Sequence, residues 1–173
     1  MNRIQAFLKR KNVLFSAKRY GVDAMGAMAQ GLFAILIIGT IIQQIGTLVG
    51  GSTGDMIYAV GKVAAALTGA GIGVGVAAKF KESYLVVVSA ATAGMVGAFA
   101  SKLLAGTVLV DGTMVFAGPG EPLGAFLAAY IGIECGHLVA GRTKVDILVT
   151  PIVTIGTGSL VGLLVGPGVS KIM

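Results

Sequence analysis

Charge is scarce in this chain. Asp, Glu, Lys and Arg make up 12 % of its 173 residues, against about 25 % in a soluble domain. Hydrophobic residues reach 55 % and mean hydropathy is +0.93, so polar side chains cannot cover a water-facing surface. That excludes an ordinary cytosolic enzyme and a disordered tail protein. Cysteine occurs once, at Cys135, which excludes a disulfide framework within the chain and a multi-cysteine metal site. His137 is the one histidine, which leaves too few ligands for a metal centre. No Ser/His/Asp arrangement, H-E-x-x-H pattern or Walker sequence is present. No self-contained active site, cofactor or metal is therefore expected. Acidic residues number 7 against 13 Lys and Arg, for a net charge of +6. Such a balance can signal nucleic acid, but the placement of these charges fits an inner membrane surface better, and no nucleic-acid partner is expected.

Apolar runs and glycine take the place of charge. A bilayer core of about 30 Å needs roughly 20 apolar residues per helix. Five runs qualify, at about 24–49, 56–78, 84–105, 123–139 and 147–165. The expected fold is an all-α polytopic membrane protein of about five transmembrane helices, with a basic leader over 1–23 and a transmembrane domain over 24–173. Arg3, Lys9, Arg10, Lys11, Lys18, Arg19, Lys79, Lys81, Arg142 and Lys144 fall on one side of this arrangement. Asp55, Asp111, Glu121 and Lys171 fall on the other. The positive-inside rule then places the N-terminus in the cytoplasm and the C-terminus outside. The leader is too long and too basic for a cleaved signal peptide. Ile4, Phe7, Leu8 and Phe15 share a helical face, so the leader is either an interfacial helix or a solvated topogenic segment.

Of the 28 glycines, Gly69, Gly71, Gly73 and Gly75 resemble a phosphate-cradling loop superficially. They lie inside an apolar run with no preceding strand, so their four-residue spacing points instead to close helix packing. A hinge in a transporter helix is a second use. Between the third and fourth runs, β-favouring residues flank Asp111-Gly112, a hairpin signal. Gly118-Pro119-Gly120-Glu121-Pro122 follows and forbids a regular helix. Pro122 suits a first helical turn, with Glu121 at the cap. This hairpin is either an outer loop or a re-entrant piece lining a pathway. Glu121 is then either a cap or a substrate ligand, with Pro119, Gly120 and Pro122 shaping the loop.

Charges inside the spans are functional candidates because they are costly there. Lys62, Lys102 and Glu134 qualify, although Lys102 is close enough to a span end to snorkel. Glu134 and His137 share a helical face. Substrate-binding candidates are thus Glu121, Gly120, Pro119, Pro122, Lys62, Glu134 and His137.

The strings Gly118-Pro119-Gly120-Glu121-Pro122-Leu123-Gly124 and Thr143-Lys144-Val145-Asp146-Ile147, the latter running on to Thr150-Pro151, carry a family likeness. They resemble EIIC-type permeases of the bacterial phosphotransferase system, in the compact group without fused IIA or IIB domains. The resemblance is to the N-terminal half of such proteins, with an inverted second half expected to follow. It implies uptake of a sugar by alternating access, with a separate IIB protein phosphorylating the solute at the cytoplasmic face. Neither Cys135 nor His137 sits where a IIB or IIA phosphoacceptor would. Arg142, Lys144 and Asp146 would organise a cytoplasmic hinge. A homodimer is expected, because small residues line several spans of a short chain. The alternative is a non-transporting membrane regulator or scaffold that binds a lipid or apolar ligand.

Overall fold

The structure is a computed structural model that describes residues 3–10 and 18–172. Lys11 and Phe15 of the basic leader lie outside the described residues. Helix α1 covers Arg3–Arg10. Helix α2 covers 18–49 and alternates between wide and regular turns. It is π-helical over Lys18–Ala24 and Phe33–Ile37, and α-helical over Met25–Leu32 and Ile38–Val49. Then follow α3 (Gly51–Ala66), α4 (Thr68–Lys79), α5 (Tyr84–Ala98) and α6 (Ala100–Leu104). Two short strands, β1 (Leu109–Val110) and β2 (Thr113–Met114), precede α7 (Pro122–Val139) and α8 (Asp146–Ile172).

The protein is an all-α polytopic membrane protein. Gly21–Val49, Pro122–Val139 and Asp146–Val169 are each long and apolar enough to cross a bilayer. The run expected as one span over 56–78 is instead a pair, α3 and α4, bent by 50°. The bend is local to Leu67, with φ −83° and ψ 9°. There Thr68 Oγ1 donates to the Ala65 carbonyl at 2.6 Å, in place of regular continuation. The third run also breaks. Regular helix stops at Ala98, and Phe99 leaves it at φ −111° before α6 resumes. Phe99 is buried and meets the Phe116 ring at 4.9 Å, so the break points a large side chain into the chain's own packing. The first joint is shorter than the polar run 50–55 suggests. Gly50 and Gly51 turn the chain, both at φ +66°, and α3 begins at Gly51.

Helices α5, α7 and α8 pack on one another, and α4 joins them against α5 and α7. The first half of α2 lies on α4. Phe126, Ile133, Ile72, Val76 and Val86 are fully buried in this bundle. The rest of its interior is largely alanine and glycine, which brings backbones close. The second half of α2 and α3 pair with each other instead, as an arm away from the bundle. Gly46 and Gly54 meet across that pair. A Cβ on Gly46 would lie 2.5 Å from the Tyr58 nitrogen, and one on Gly54 would lie 2.5 Å from the Gly46 carbonyl oxygen.

Candidate functional site

Helix α7 carries a polar site near each end. Thirteen residues separate Glu121 from Glu134, about 20 Å along a helix.

At the N-terminal end, Asp111 and Gly112 both take positive φ, 50° and 76°, the signature of the hairpin turn that Asp-Gly favours. Leu109 pairs with Met114 and Val110 with Thr113. The chain then returns through Gly120, whose φ is +73°. A Cβ there would meet the Ala98 carbonyl oxygen at 2.6 Å, so both conformation and space require glycine. The Glu121 amide donates to that same carbonyl at 2.8 Å. Glu121 is the N-cap residue and Pro122 opens the helix. The Glu121 side chain makes no capping hydrogen bond. Its Oε2 is buried with no hydrogen-bond partner, as is Ser101 Oγ at the start of α6. Pro119 is half-buried beside them in sequence. Lys102 makes its contacts with other groups, its Nζ lying 5.5 Å from the Phe99 ring centre. Its Nζ donates to the Ala117 carbonyl at 2.9 Å.

At the C-terminal end, three elements bring charges together. Arg19 at the start of α2 donates to Glu134 Oε1 at 3.1 Å, and its guanidinium lies 4.2 Å from the Phe80 ring centre. Tyr130 lies one turn before Glu134 on α7 and bonds toward its carboxylate. His137 Nδ1 and Glu82 Oε2 are 2.6 Å apart. Glu82 reaches inward because α4 ends in a tight reversal. Lys81 adopts φ +55°, and the Lys81 and Glu82 amides donate to Ala78 and Ala77. The Glu82 side chain is 2 % exposed, and those of Arg19 and Glu134 are 13 % and 11 %. Glu82 Oε1 is buried without a hydrogen-bond partner. One guanidinium, two carboxylates and an imidazole thus share one apolar enclosure. The two acids are arranged alike: Glu134 holds Arg19 through Oε1 and Glu82 meets His137 through Oε2, and each keeps its other oxygen buried without a hydrogen-bond partner.

Other sequence candidates lie elsewhere. Lys62 is exposed on α3, with Nζ 5.7 Å from the Tyr58 ring centre. Asp146 Oδ1 accepts from the Gly141 amide at 2.8 Å and the Thr150 hydroxyl at 2.6 Å, tying the turn to the start of α8. Arg142 and Lys144 are exposed in that turn. Sequence reasoning counted Arg19 only among the charges that set topology and did not single out Glu82. The available signal was Glu82 itself, a lone acid among Lys79, Phe80 and Lys81.

No curated protein and no solved structure matches the chain. The family model described as phosphotransferase system, EIIC, matches residues 22–173, which takes in α3 to α8, nearly all of α2 and, apart from Arg19, the polar residues at both ends of α7. A bundle of apolar helices carrying buried carboxylates, together with that match, shows that the chain belongs to the EIIC family of membrane permease components of the phosphotransferase system.

Proposed function

We propose that this protein carries a small hydroxyl-rich solute, sugar in kind, across the bacterial inner membrane by alternating access. The observation that carries this reading is the set of buried acceptors at the two ends of α7, Glu121 Oε2 at one and Glu82 Oε1 and Glu134 Oε2 at the other, none with a donor from the described residues. A buried carboxylate oxygen without a donor is expensive, and a solute hydroxyl is a matching donor. Glu121, framed by Pro119, Gly120 and Pro122, receives solute from outside. Glu82, Glu134 and His137 receive it on the inner side, with Arg19 holding Glu134 in place. Arg142, Lys144 and Asp146 brace the cytoplasmic turn between α7 and α8. Lys62 lies on the arm formed by α3 and the second half of α2, apart from both ends of α7. The N-terminus is cytoplasmic, the working unit is a homodimer, and a separate IIB phosphocarrier phosphorylates the solute as it leaves.

Uptake of labelled hexoses, pentoses and polyols into proteoliposomes tests the reading. Accumulation or exchange of one of them, lost in Glu82→Gln, is the expected result. Binding without flux would favour a scaffold. One observation speaks for that second reading, an apolar groove of about 440 Å³ between α2 and the Leu67 bend, lined by Gly31, Ala34, Ile35, Ala70 and Val74. It suits a lipid chain.

A further inference from the structure

The open polar atoms at the two ends of α7 share one chemistry. Among the described residues, the buried side-chain oxygens that lack a hydrogen-bond partner are Glu121 Oε2 and Ser101 Oγ at its N-terminal end, and Glu82 Oε1 and Glu134 Oε2 at its C-terminal end. Three of these four belong to carboxylates. An ionised carboxylate accepts hydrogen bonds and donates none. The two ends are built from different elements, so the same surplus of acceptors arises twice.

The donors nearby are already committed. At the N-terminal end, Lys102 Nζ is held by the Ala117 carbonyl at 2.9 Å, and among the described residues it forms no ion pair with Glu121. At the C-terminal end, the Arg19 guanidinium spans Glu134 Oε1 and the Phe80 ring, and His137 Nδ1 meets Glu82 Oε2. Each base takes one oxygen of its acid and leaves the other. The Arg19 charge is matched by Glu134, so it does not set the enclosure against a cation. Arg19 Nε is buried in the same enclosure, where an oxygen of the solute can accept from it.

Ligand classes differ in what they can give these atoms. A hydroxyl donates one hydrogen bond and brings two lone pairs that call for donors in return. A carboxylate or phosphate brings acceptors and a like charge. An ammonium brings three donors, no acceptor and the opposite charge, and its hydrogen bonds to carboxylates are charge-assisted. We infer that the solute carries an amine beside its hydroxyls. It is an amino sugar or amino polyol, cationic when bound, whose ammonium is received by Glu121 at one end of α7 and by Glu82 and Glu134 at the other. Its hydroxyls meet Ser101 Oγ and Arg19 Nε. This rests on the solute-carrier reading above and names the class of solute.

Matched probes isolate the charge. Glucosamine, glucose and N-acetylglucosamine differ at one carbon, as amine, hydroxyl and neutral amide. Serinol and glycerol repeat the comparison on a shorter frame, and glucuronate supplies the opposite charge. Binding to the full chain in mild detergent is read by calorimetry, and flux by uptake of labelled probe into proteoliposomes. Glucosamine or serinol should bind ten-fold or more tighter than its neutral counterparts, and glucuronate should not compete. Glu121→Gln should erase most of that preference, and Glu121→Asp, which keeps the charge, should retain it. Melting near that of wild type shows that both variants fold, and the wild-type ranking of the probes decides even where one does not. Flux of these probes with equal or tighter binding of the neutral ones would overturn the amine while the carrier reading stands. A preference that survives Glu121→Gln and Glu82→Gln alike would overturn the assignment to these acids. Neither binding nor flux of any probe would overturn the carrier and its amine together.

Discussion

Glu121 sits where two explanations of a carboxylate compete. A capping acid stabilises its helix by about 1 kcal/mol and touches nothing else. A solute ligand supplies a charge-assisted hydrogen bond worth roughly 1.5–3 kcal/mol. The side chain makes no capping bond, and its Oε2 is buried without a partner, which favours the second. Glu121→Gln should therefore weaken solute binding about ten-fold or more while leaving the melting temperature nearly unchanged. Normal affinity with a lowered melting temperature would reduce Glu121 to a cap. At the other end of α7, Arg19 and Glu134 form a buried pair. Arg19→Ala leaves a buried carboxylate without its counter-ion and should cost about 3–5 kcal/mol. Arg19→Met combined with Glu134→Leu removes both charges and should melt close to wild type. If the pair also shapes the solute site, that double variant folds but no longer transports. Wild-type uptake by the double variant would confine the pair to structure.

At the scale of the element, the glycines divide into those that touch and those that do not. Gly46 and Gly54 sit in the seam of the arm, with backbone atoms 2.5 Å from a would-be Cβ. Gly46→Val must push the helices apart and should cost about 1–3 kcal/mol. Gly156 on α8 has nothing within 4 Å of its Cβ position, so Gly156→Ala should be neutral or mildly stabilising. Thermal unfolding of the two variants in one detergent distinguishes them. Equal effects would mean that the arm does not close through its glycines. The same contrast explains what could be read ahead of the structure. Asp111-Gly112 and Pro122 carry their geometry locally, so the hairpin and the start of α7 were legible. The bend at Leu67 was not, because hydropathy is uniform across 56–78. It arises where α4 must lay glycines against α2 on one side and against α5 on the other, at Gly71 opposite Gly31 and Gly69 opposite Gly94. That requirement is tertiary. Glu82 was hidden for a related reason. Its inward direction depends on a left-handed Lys81 that its own side chain does not announce.

At the scale of the whole molecule, the distribution of basic residues makes a prediction about sidedness. The five-crossing arrangement expected from the sequence would place Ser52 outside and Thr143 inside. Single cysteines at these positions, with Cys135 removed, should react with an impermeant maleimide from outside at 52 and not at 143. The reverse pattern would invert the arrangement. Both positions are exposed, so protection would report the membrane rather than burial. The family was legible from the strings around Glu121 and Asp146, because those segments are irregular and therefore distinctive in composition. The cluster that gathers Arg19, Glu82, Glu134 and His137 spans more than a hundred positions of sequence, and no spacing rule connects residues so far apart.

The single-residue joint at Gly50 also bears on how the chain enters the bilayer. With α2 ending at Val49 and α3 starting at Gly51, there is no polar loop between the two arms to be threaded across ahead of them. The 29 residues from 38 to 66 emerge from a ribosome in roughly 2–6 s at 5–20 residues per second. The two arms can then zip along their glycine seam and partition into lipid as one body, the charged flank of α3 included.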